Sequence, residues 1–381
     1  MSLQGPLIVV AEQPAADLVE ALGAAGAFPI VEATWADAPT AFVAVKPAAV
    51  VIAEPGPCPS ESSARMLSLQ IATVNGPIVP TIAVAEGARD PAIPAALPAD
   101  GLLPVERLVA RLQSAMRVRA LHATVLRRID LFAARDGALP KLPLSDALDD
   151  ATVLIAGRGP LYPALTVAMG ERVKMVGALS VENAAKHLNA RDIDGIVVGD
   201  GFSPRMVEAF LTVLAQDTRF RDIPVAVIGE APPDFFEELP NIDHVDGDPA
   251  RLVARMMPLV RMHAFEARLN RMLKSLDADA ALQIIRSFAA PTVTILKHSN
   301  PCGLATDDDL AAAHAAARPG DPVSAFGGIV GINRPVDGRL AEAMQRYFYE
   351  VIIAPGFEAE ARTVCAAKAN LRLLEVALDR A

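Results

Sequence analysis

The 381-residue sequence predicts an α/β protein with more than one domain, in which short parallel strands alternate with helices. Apolar, β-branched runs such as residues 7–10, 50–52 and 153–156 are bounded by Pro, Gly or Asp, which is typical of buried parallel strands. Helix-like stretches, for example residues 15–25 and 181–188, lie between such runs. This alternation favours right-handed crossovers and doubly wound sheets.

An internal repeat organises the first two thirds of the chain. The segment 107–111 (RLVAR) recurs at 251–255, and a His-Ala pair follows each copy, at His122 and His263. The strand-like runs recur in the same order, and each repeat has about the size of a single domain. We therefore expect two domains of the same fold.

Composition and the positions of proline and acidic residues set the expected domain boundaries. Residues 136–150 contain prolines and acids without a periodic run, which indicates a linker. We predict a first domain over 1–135, a second over 151–250, a helical stalk over 251–276 and a further α/β segment over 277–381.

Charge, hydropathy and cysteine usage exclude several classes of protein. A hydrophobic content of 52% with 21% charged residues argues against disorder, and a net charge of −10 argues against a nucleic-acid partner. The sequence has no apolar stretch long enough for a membrane span, and its first 17 residues lack the features of a signal peptide. Cys58, Cys302 and Cys365 lie far apart, without metal-ligand spacing. We expect a cytoplasmic protein without a bound metal.

In order and pattern, the two repeats resemble response-regulator receiver domains, the flavodoxin-like (βα)5 modules found in tandem before diguanylate cyclases. The resemblance implies that paired acids after the first strand hold Mg²⁺ and that an Asp after the third accepts phosphoryl. Hydroxyl and Lys side chains after the later strands then contact that phosphate.

Most of those positions carry other residues here. The first repeat offers Glu12 and Glu54 but has Ala85 at the hydroxyl position, and the second has Gly157-Arg158 in place of the acid pair. Asp200 is one place out of register, so Glu54 and Asp200 are vestigial phosphoacceptors or simply acids at strand ends. Without paired carboxylates the divalent ion lacks a site, and we expect both repeats to be phosphorylation-incompetent.

Segment 251–276 predicts one long helix. Its apolar stripe recurs at three- and four-residue steps through Leu259, Met262, Phe265, Leu269, Met272 and Leu276. Two alternatives follow: a terminal helix that packs on its own sheet, or a stalk that forms a homodimer. The sequence lacks a Gly-Gly-Asp-Glu-Phe loop, so cyclase activity is not expected.

The last hundred residues carry most of the chemistry-bearing positions. Residues 291–297 predict a buried strand that is broken by residues 300–303. Lys297 and His298 therefore lie at the carboxyl end of this strand, and open α/β sheets bind ligands at the carboxyl ends of their strands. A Lys beside a His favours a neutral imidazole that can act as a base. The alternative is ordinary surface polarity. We also expect Thr306 to cap the helix that follows.

A second loop, residues 321–328, leads into the strand-like run 329–332. Its glycine pair, Gly327 and Gly328, would let a planar ligand approach the backbone closely. The alternative is a tight turn.

Four motifs in order, 297–306 (KHSNPCGLAT), 321–335 (DPVSAFGGIVGINRP), 350–361 (EVIIAPGFEAEA) and 368–375 (KANLRLLE), support a specific resemblance. They resemble AICAR formyltransferase, the transformylase half of the bifunctional purine-biosynthesis enzyme that also carries IMP cyclohydrolase. The resemblance implies formyl transfer from the co-substrate 10-formyltetrahydrofolate to the amine of the ribonucleotide AICAR.

The resemblance also implies roles for individual residues. Lys297 would polarise the formyl oxygen, His298 would accept the amine proton, and Asn300 would shape the turn between them and the next segment. The expected ligand contacts are Val323, Phe326 and Gly327 toward the folate and Glu350 toward the aminoimidazole.

Other elements of that family are missing from the sequence. It does not contain the Arg-Tyr-Gly-Glu-Asn-Pro-His-Gln stretch with the phosphate-binding arginine, and residues 276–281 (LDADAA) follow the stalk directly. We therefore expect a chimera joined within residues 274–280, with negligible transformylase turnover. The alternative function is a signalling or dimerisation scaffold built from incompetent receivers.

Overall fold

The computed structural model describes residues 3–53, 61–84, 96–99, 105–136, 142–143, 145–159, 161–199, 201–229, 235, 238–245, 247–297, 300–368 and 370–378. The chain divides into two compact units: unit 1 is Met1–Leu269 and unit 2 is Asn270–Ala381. Within the described parts, no helix combines the length with the apolar content that a membrane span requires.

The first repeat of unit 1 forms one parallel sheet with helices between its strands. The strands are β1 (Gln4–Val10), β2 (Phe28–Ala33), β3 (Ala49–Ile52), β4 (Thr81–Ala83) and β5 (Leu97–Pro98). The helices are α1 (Ala16–Ala24), α2 (Ala38–Val45), α3 (Glu61–Ala72) and α4 (Val105–Asp136).

The second repeat of unit 1 has the same succession. Its strands are β6 (Thr152–Ala156), β7 (Lys174–Ala178), β8 (Gly195–Val198), β9 (Val225–Ile228) and β10 (Ile242–Val245). Its helices are α5 (Leu161–Met169), α6 (Val181–Ala190), α7 (Pro204–Gln216) and α8 (Pro249–Arg286), preceded by a 3₁₀ turn at Ala147–Asp150.

The two sheets have the same topology. The strand orders are β2-β1-β3-β4-β5 and β7-β6-β8-β9-β10, and every pairing is parallel. Inner strands such as β3 and β8 are buried along their whole length, because helices cover both faces. The predicted α/β class with parallel sheets is confirmed.

The apolar stripe of helix α8 packs within unit 1. Leu259 is 2% exposed and packs in a core with strand residues of both sheets, while Leu252 and Val260 belong to a second core of the same repeat. Within unit 1, α8 therefore packs on its own sheet, as a terminal helix does. A homodimer through residues 251–276 stays a prediction, and it would have to use the other faces of this helix.

The repeated RLVAR motif joins the two halves of unit 1. Arg111 of α4 is fully buried, and its Nη2 donates to Asp243 Oδ1 of β10 at 2.8 Å. The same guanidinium also donates to the carbonyl oxygens of Pro98, Pro240 and Ile242. Arg255, the equivalent residue of the second copy, lies 3.9 Å from the same carboxylate. Asp243 thus faces both copies of the motif.

Unit 2 is built around a mixed sheet. Its strands are β11 (Thr292–Lys297), β12 (Asn300–Thr306), β13 (Gly328–Ile332), β14 (Tyr349–Ala354) and β15 (Arg372–Glu375), in the order β12-β11-β13-β14-β15. Its helices are α9 (Leu310–Ala317), α10 (Gly338–Gln345) and α11 (Ala359–Ala366), with a 3₁₀ turn at Arg318–Gly320. β11 is antiparallel to both of its neighbours, whereas β13, β14 and β15 are mutually parallel.

The strand expected over 291–297 ends before residue 300, as β11 does at Lys297, and residues 300–303 begin a further strand, β12, which returns antiparallel on β11. The expected helix cap was wrong. Thr306 is the last residue of that strand rather than a helix cap. Asp309 caps α9, because its side chain accepts from the backbone N–H of Ala311.

Gly303 is required by packing where β12 passes the end of α9. A Cβ at this position would lie 1.7 Å from the carbonyl oxygen of Ala317, which is a backbone atom that cannot rotate away. We expect Gly303→Ala to lower the free energy of unfolding of unit 2 by about 1–3 kcal/mol. Chemical denaturation followed by circular dichroism measures the change.

Gly356→Ala is the matched control, since its Cβ would meet only Pro335 Cβ at 3.9 Å. Equal stability of the two variants would show that β12 does not approach α9 as closely as described.

Candidate functional site

Lys297, Phe326, Gly327 and Glu350 lie at one edge of the sheet of unit 2, but not at the edge expected. Lys297 ends β11, and because β11 is antiparallel to β13, it lies beside the beginning of β13 at Gly328. Glu350 is the second residue of β14, whose start pairs with Gly328. The carboxyl-end argument for Lys297 was therefore wrong, since this edge is the amino end of the three parallel strands.

Lys297 contacts the loop of residues 321–327, here called the site loop. Its ammonium donates to the carbonyl oxygen of Phe326 at 2.6 Å. The Gly327 N–H donates to the Phe348 carbonyl at 2.9 Å, so both the strand end and the segment before β14 hold the site loop. The ring of Phe326, 64% exposed, lies 5.1 Å from that of Phe348, centroid to centroid.

Glu350 is paired with a cation that the sequence did not single out. Lys274 of α8 lies with its Nζ 2.6 Å from Glu350 Oε2, and both side chains are partly exposed. Lysine and carboxylate are thus placed beside Gly327, where a Cβ would come within 3.7 Å of Glu350 Oε1. The edge therefore combines two ammonium groups, one carboxylate and two aromatic rings.

The glycine pair is explained by the protein's own packing rather than by ligand access alone. Gly327 has a positive φ of 71°, which favours glycine. A Cβ on Gly328 would lie 2.8 Å from the Leu296 carbonyl oxygen of the neighbouring strand. The close approach of β11 thus leaves no room for a side chain at Gly328.

Electrostatics at the base of the site loop keep Cys302 a neutral thiol. Burial raises the pKa of Cys302, the charge of Asp321 raises it further, and the backbone N–H and charge of Lys297 oppose this. The Ser324 backbone N–H lowers the pKa of Asp321, and its bond to Asp321 Oδ1 is 3.0 Å long. Asp321 is therefore an ionised residue that shapes the loop, and Cys302 is not an activated nucleophile.

The remaining predicted residues of unit 2 are placed less completely. His298 lies outside the described residues. The backbone of Asn300 pairs with Lys297 and so closes the β11–β12 hairpin. Val323 is on the site loop with its side chain 84% exposed.

In unit 1 the positions compared with receiver domains carry other contacts. Glu54, Ala85 and Asp200 lie outside the described residues. Glu12 Oε1 accepts from the Trp35 N–H at 3.1 Å, and Arg158 donates from Nε to the Leu179 carbonyl at 2.9 Å. Among the described residues, no group of three or more His, Cys, Asp and Glu side chains is placed to hold a metal ion.

Sequence reasoning missed the groups behind the site edge. Lys274 is brought to Glu350 only by the path of α8. The buried His314 on α9 lies with Nε2 2.9 Å from the hydroxyl oxygen of Tyr349, the residue before Glu350. A lone His in an alanine-rich helix and a Tyr at a strand start carry no local signal of this pairing.

Two solved structures illustrate the overall comparison. NADPH-dependent glyoxylate/hydroxypyruvate reductase from Sinorhizobium meliloti is 16% identical, with 70% of this chain and 92% of that chain covered at a TM-score of 0.19. D-lactate dehydrogenase from Escherichia coli is 13% identical, with 72% and 97% covered at a TM-score of 0.18. At such scores the chain paths differ, so these likenesses do not establish a shared fold.

Sequence comparison is informative for the carboxy-terminal part. Residues 271–381 match the family model described as the AICARFT/IMPCHase bienzyme. The match begins one residue after the first residue of unit 2, Asn270. Unit 2, with Lys297, the site loop and Glu350 at one edge, is thus the part of the chain that is similar to this family.

Proposed function

We propose that unit 2 binds 10-formyltetrahydrofolate and carries residues for formyl transfer to AICAR, as in purine biosynthesis. The observation that carries the proposal is the convergence of Lys297, Phe326, Gly327 and Glu350 at one sheet edge inside the segment that matches the family model. They come from three separate stretches of the sequence, the end of β11, the site loop and the start of β14.

The proposed roles follow from the chemistry of each group. The Lys297 ammonium would stabilise the oxyanion that develops on the formyl group, and it must exchange its bond to the Phe326 carbonyl for the substrate. His298 would accept the proton of the AICAR amine, and Asn300 would shape the turn between β11 and β12. Phe326, Gly327 and Val323 would face the folate ring, and Glu350 would contact the aminoimidazole.

Folate binding is the direct test of this proposal. We expect saturable binding of 10-formyltetrahydrofolate by the whole chain, and we expect Phe326→Ala to raise Kd about tenfold because an exposed aromatic face is lost. Titration calorimetry measures both values. Leu374→Ala, which truncates another partly exposed side chain of unit 2, is expected to leave Kd unchanged.

Absence of saturable binding, or equal Kd values for the Phe326 and Leu374 variants, would contradict the proposal. Turnover is expected to be negligible, because the sequence lacks the family's phosphate-binding stretch and substrate positioning supplies a large share of catalysis. Tetrahydrofolate formation at the rate of an intact transformylase would show that this stretch is dispensable. The chimera, with its junction near residues 274–280, is part of the same proposal.

A second candidate function concerns unit 1: a signalling or docking scaffold of two flavodoxin-like, receiver-like domains. The observation that favours it is the strand order 2-1-3-4-5 within each all-parallel sheet, which is the order of flavodoxin-like folds. The buried Arg111–Asp243 pair supports a scaffold whose two repeats act as one body.

Phosphorylation chemistry distinguishes a scaffold from a working receiver. We expect no incorporation of label from acetyl phosphate with Mg²⁺, because Glu12 is bonded to the Trp35 amide and Arg158 stands where the second repeat would need an acid. Label and intact mass are measured on the unaltered chain and on Asp200→Asn. Stoichiometric label that Asp200→Asn removes would overturn this expectation.

A further inference from the structure

The side chains of residues 347–350 contact two different parts of unit 2. Tyr347 and Tyr349 contact α9 and the turn that follows it, whereas Phe348 and Glu350 contact the site edge through Phe326 and Lys274. Only Tyr349 and Glu350 of this segment lie in β14, and the pairing with β13 shifts register at this point. Because the four residues are consecutive, contacts that hold the two tyrosines also restrict where the backbone places Phe348 and Glu350.

Two contacts hold the tyrosines. His314, 2% exposed, shares a hydrogen bond of 2.9 Å between its Nε2 and the Tyr349 hydroxyl, and Tyr349 is 3% exposed. The guanidinium carbon of Arg318 lies 3.6 Å from the centroid of the Tyr347 ring, a close cation–π contact. We call His314, Arg318, Tyr347 and Tyr349 the anchor cluster.

The anchor cluster is continuous with the site loop. Arg318 opens the 3₁₀ turn Arg318–Gly320, and the site loop starts at the next residue, Asp321. At its other end the loop is bonded to the segment by the Gly327 N–H and the Phe348 carbonyl. The loop and the residues before β14 are therefore fastened to each other at both ends.

We propose that His314 and Arg318 are positioning residues, which hold residues 347–350 so that Phe348 and Glu350 face a flat, folate-like ligand at Phe326 and Lys297. This inference rests on the proposed function for the identity of the ligand. Its structural part, the coupling of the anchor cluster to the site loop, is independent of that identity. Phe348, 40% exposed beside Phe326, becomes the second aromatic face of the site.

The experiment uses the whole chain and two readouts, hydrogen exchange of peptides that cover residues 321–328 and the Kd for 10-formyltetrahydrofolate. We expect Tyr349→Phe, which leaves His314 without its hydroxyl partner, to speed exchange of those amides and to raise Kd, each about tenfold. His314→Gln places a side-chain amide near the former Nε2, where it can keep the bond to the Tyr349 hydroxyl, and is expected to leave both values within about threefold of those of the unaltered chain. Tyr162→Phe, a change at a partly exposed tyrosine of unit 1, is the matched control.

The outcomes separate the two proposals. If the unaltered chain does not bind folate, the proposed function is refuted. Faster exchange of residues 321–328 in Tyr349→Phe would still support the coupling of the anchor cluster to the site loop. Unchanged exchange in Tyr349→Phe, or unchanged Kd in a chain that binds folate, would overturn the positioning role. If Tyr349→Phe unfolds, the double variant His314→Phe with Tyr349→Phe replaces it, because this variant leaves no unsatisfied polar group. Unchanged exchange of residues 321–328 or unchanged Kd in the double variant would overturn the positioning role.

Discussion

Arg111→Ala is expected to lower the free energy of unfolding of unit 1 by about 3–5 kcal/mol. The substitution leaves the Asp243 carboxylate, 2% exposed, without its closest cation. It also removes the donor to the carbonyl oxygens of Pro98, Pro240 and Ile242. A buried charge that has lost its partner costs more than the intact pair contributes, so the effect is larger than that of a surface ion pair.

Trp35 provides the measurement. It is the single tryptophan of the chain and is 3% exposed within unit 1, so its fluorescence during urea denaturation reports that unit. Arg251→Ala, in the other copy of the RLVAR motif, is the matched control, because its side chain is 66% exposed and lies 4.0 Å from Asp248. We expect a change within about 0.5 kcal/mol there.

A similar small loss in both arginine variants would mean that the Arg111 pair does not stabilise unit 1. If Arg111→Ala does not fold, Arg111→Met combined with Asp243→Leu removes both charges and is expected to recover most of the stability. Failure of that double variant as well would indicate that the carbonyl contacts, rather than the ion pair, carry the effect.

Unit 2 is expected to lose about 3 kcal/mol of stability as the pH falls from 7 to 4, through His314. Burial, aided by the charge of Arg318, lowers the pKa of His314 from 6.5 to about 4. The unfolded chain therefore takes up a proton near pH 6.5 and the folded chain does not. The contribution is complete above pH 6.5 and is lost progressively down to about pH 4.

The measurement has to be confined to unit 2, because burial also lowers the pKa values of His122 and His244 in unit 1. Hydrogen exchange of amides in β14, corrected for the pH dependence of intrinsic exchange, gives the stability of unit 2 at pH 7 and at pH 4. His314→Gln cannot take up the proton and is expected to show a flatter dependence. Equal pH dependence in both chains would exclude His314 as the source.

Local pattern predicted much of this architecture. The β-branched runs at 50–52 and 196–198 lie in β3 and β8, and the helical stretches at 15–25 and 181–188 contain α1 and most of α6. These features depend on burial and on the different periods of strands and helices, which neighbouring residues already express. The motifs at 297–306 and 321–335 likewise identified the residues that meet at the site edge.

Long-range pairing decided the rest. That β11 runs antiparallel to β13 reverses the edge at which Lys297 lies, and no residue near Lys297 encodes the direction of a strand thirty residues away. The apolar stripe of α8 looks the same whether it packs on a sheet or on a second helix, and only the strands of its own repeat place Leu259 in a core.

The sequence by itself thus determined the α/β class, the repeat and the set of candidate site residues in unit 2. The tertiary structure alone decided which of them meet: Arg111 with Asp243, Lys274 with Glu350, and His314 with Tyr349. Hydrogen bonds and ion pairs act over a few ångströms, so these partners, separated by between 35 and 132 positions, become neighbours only when the sheets fix their strand order and register.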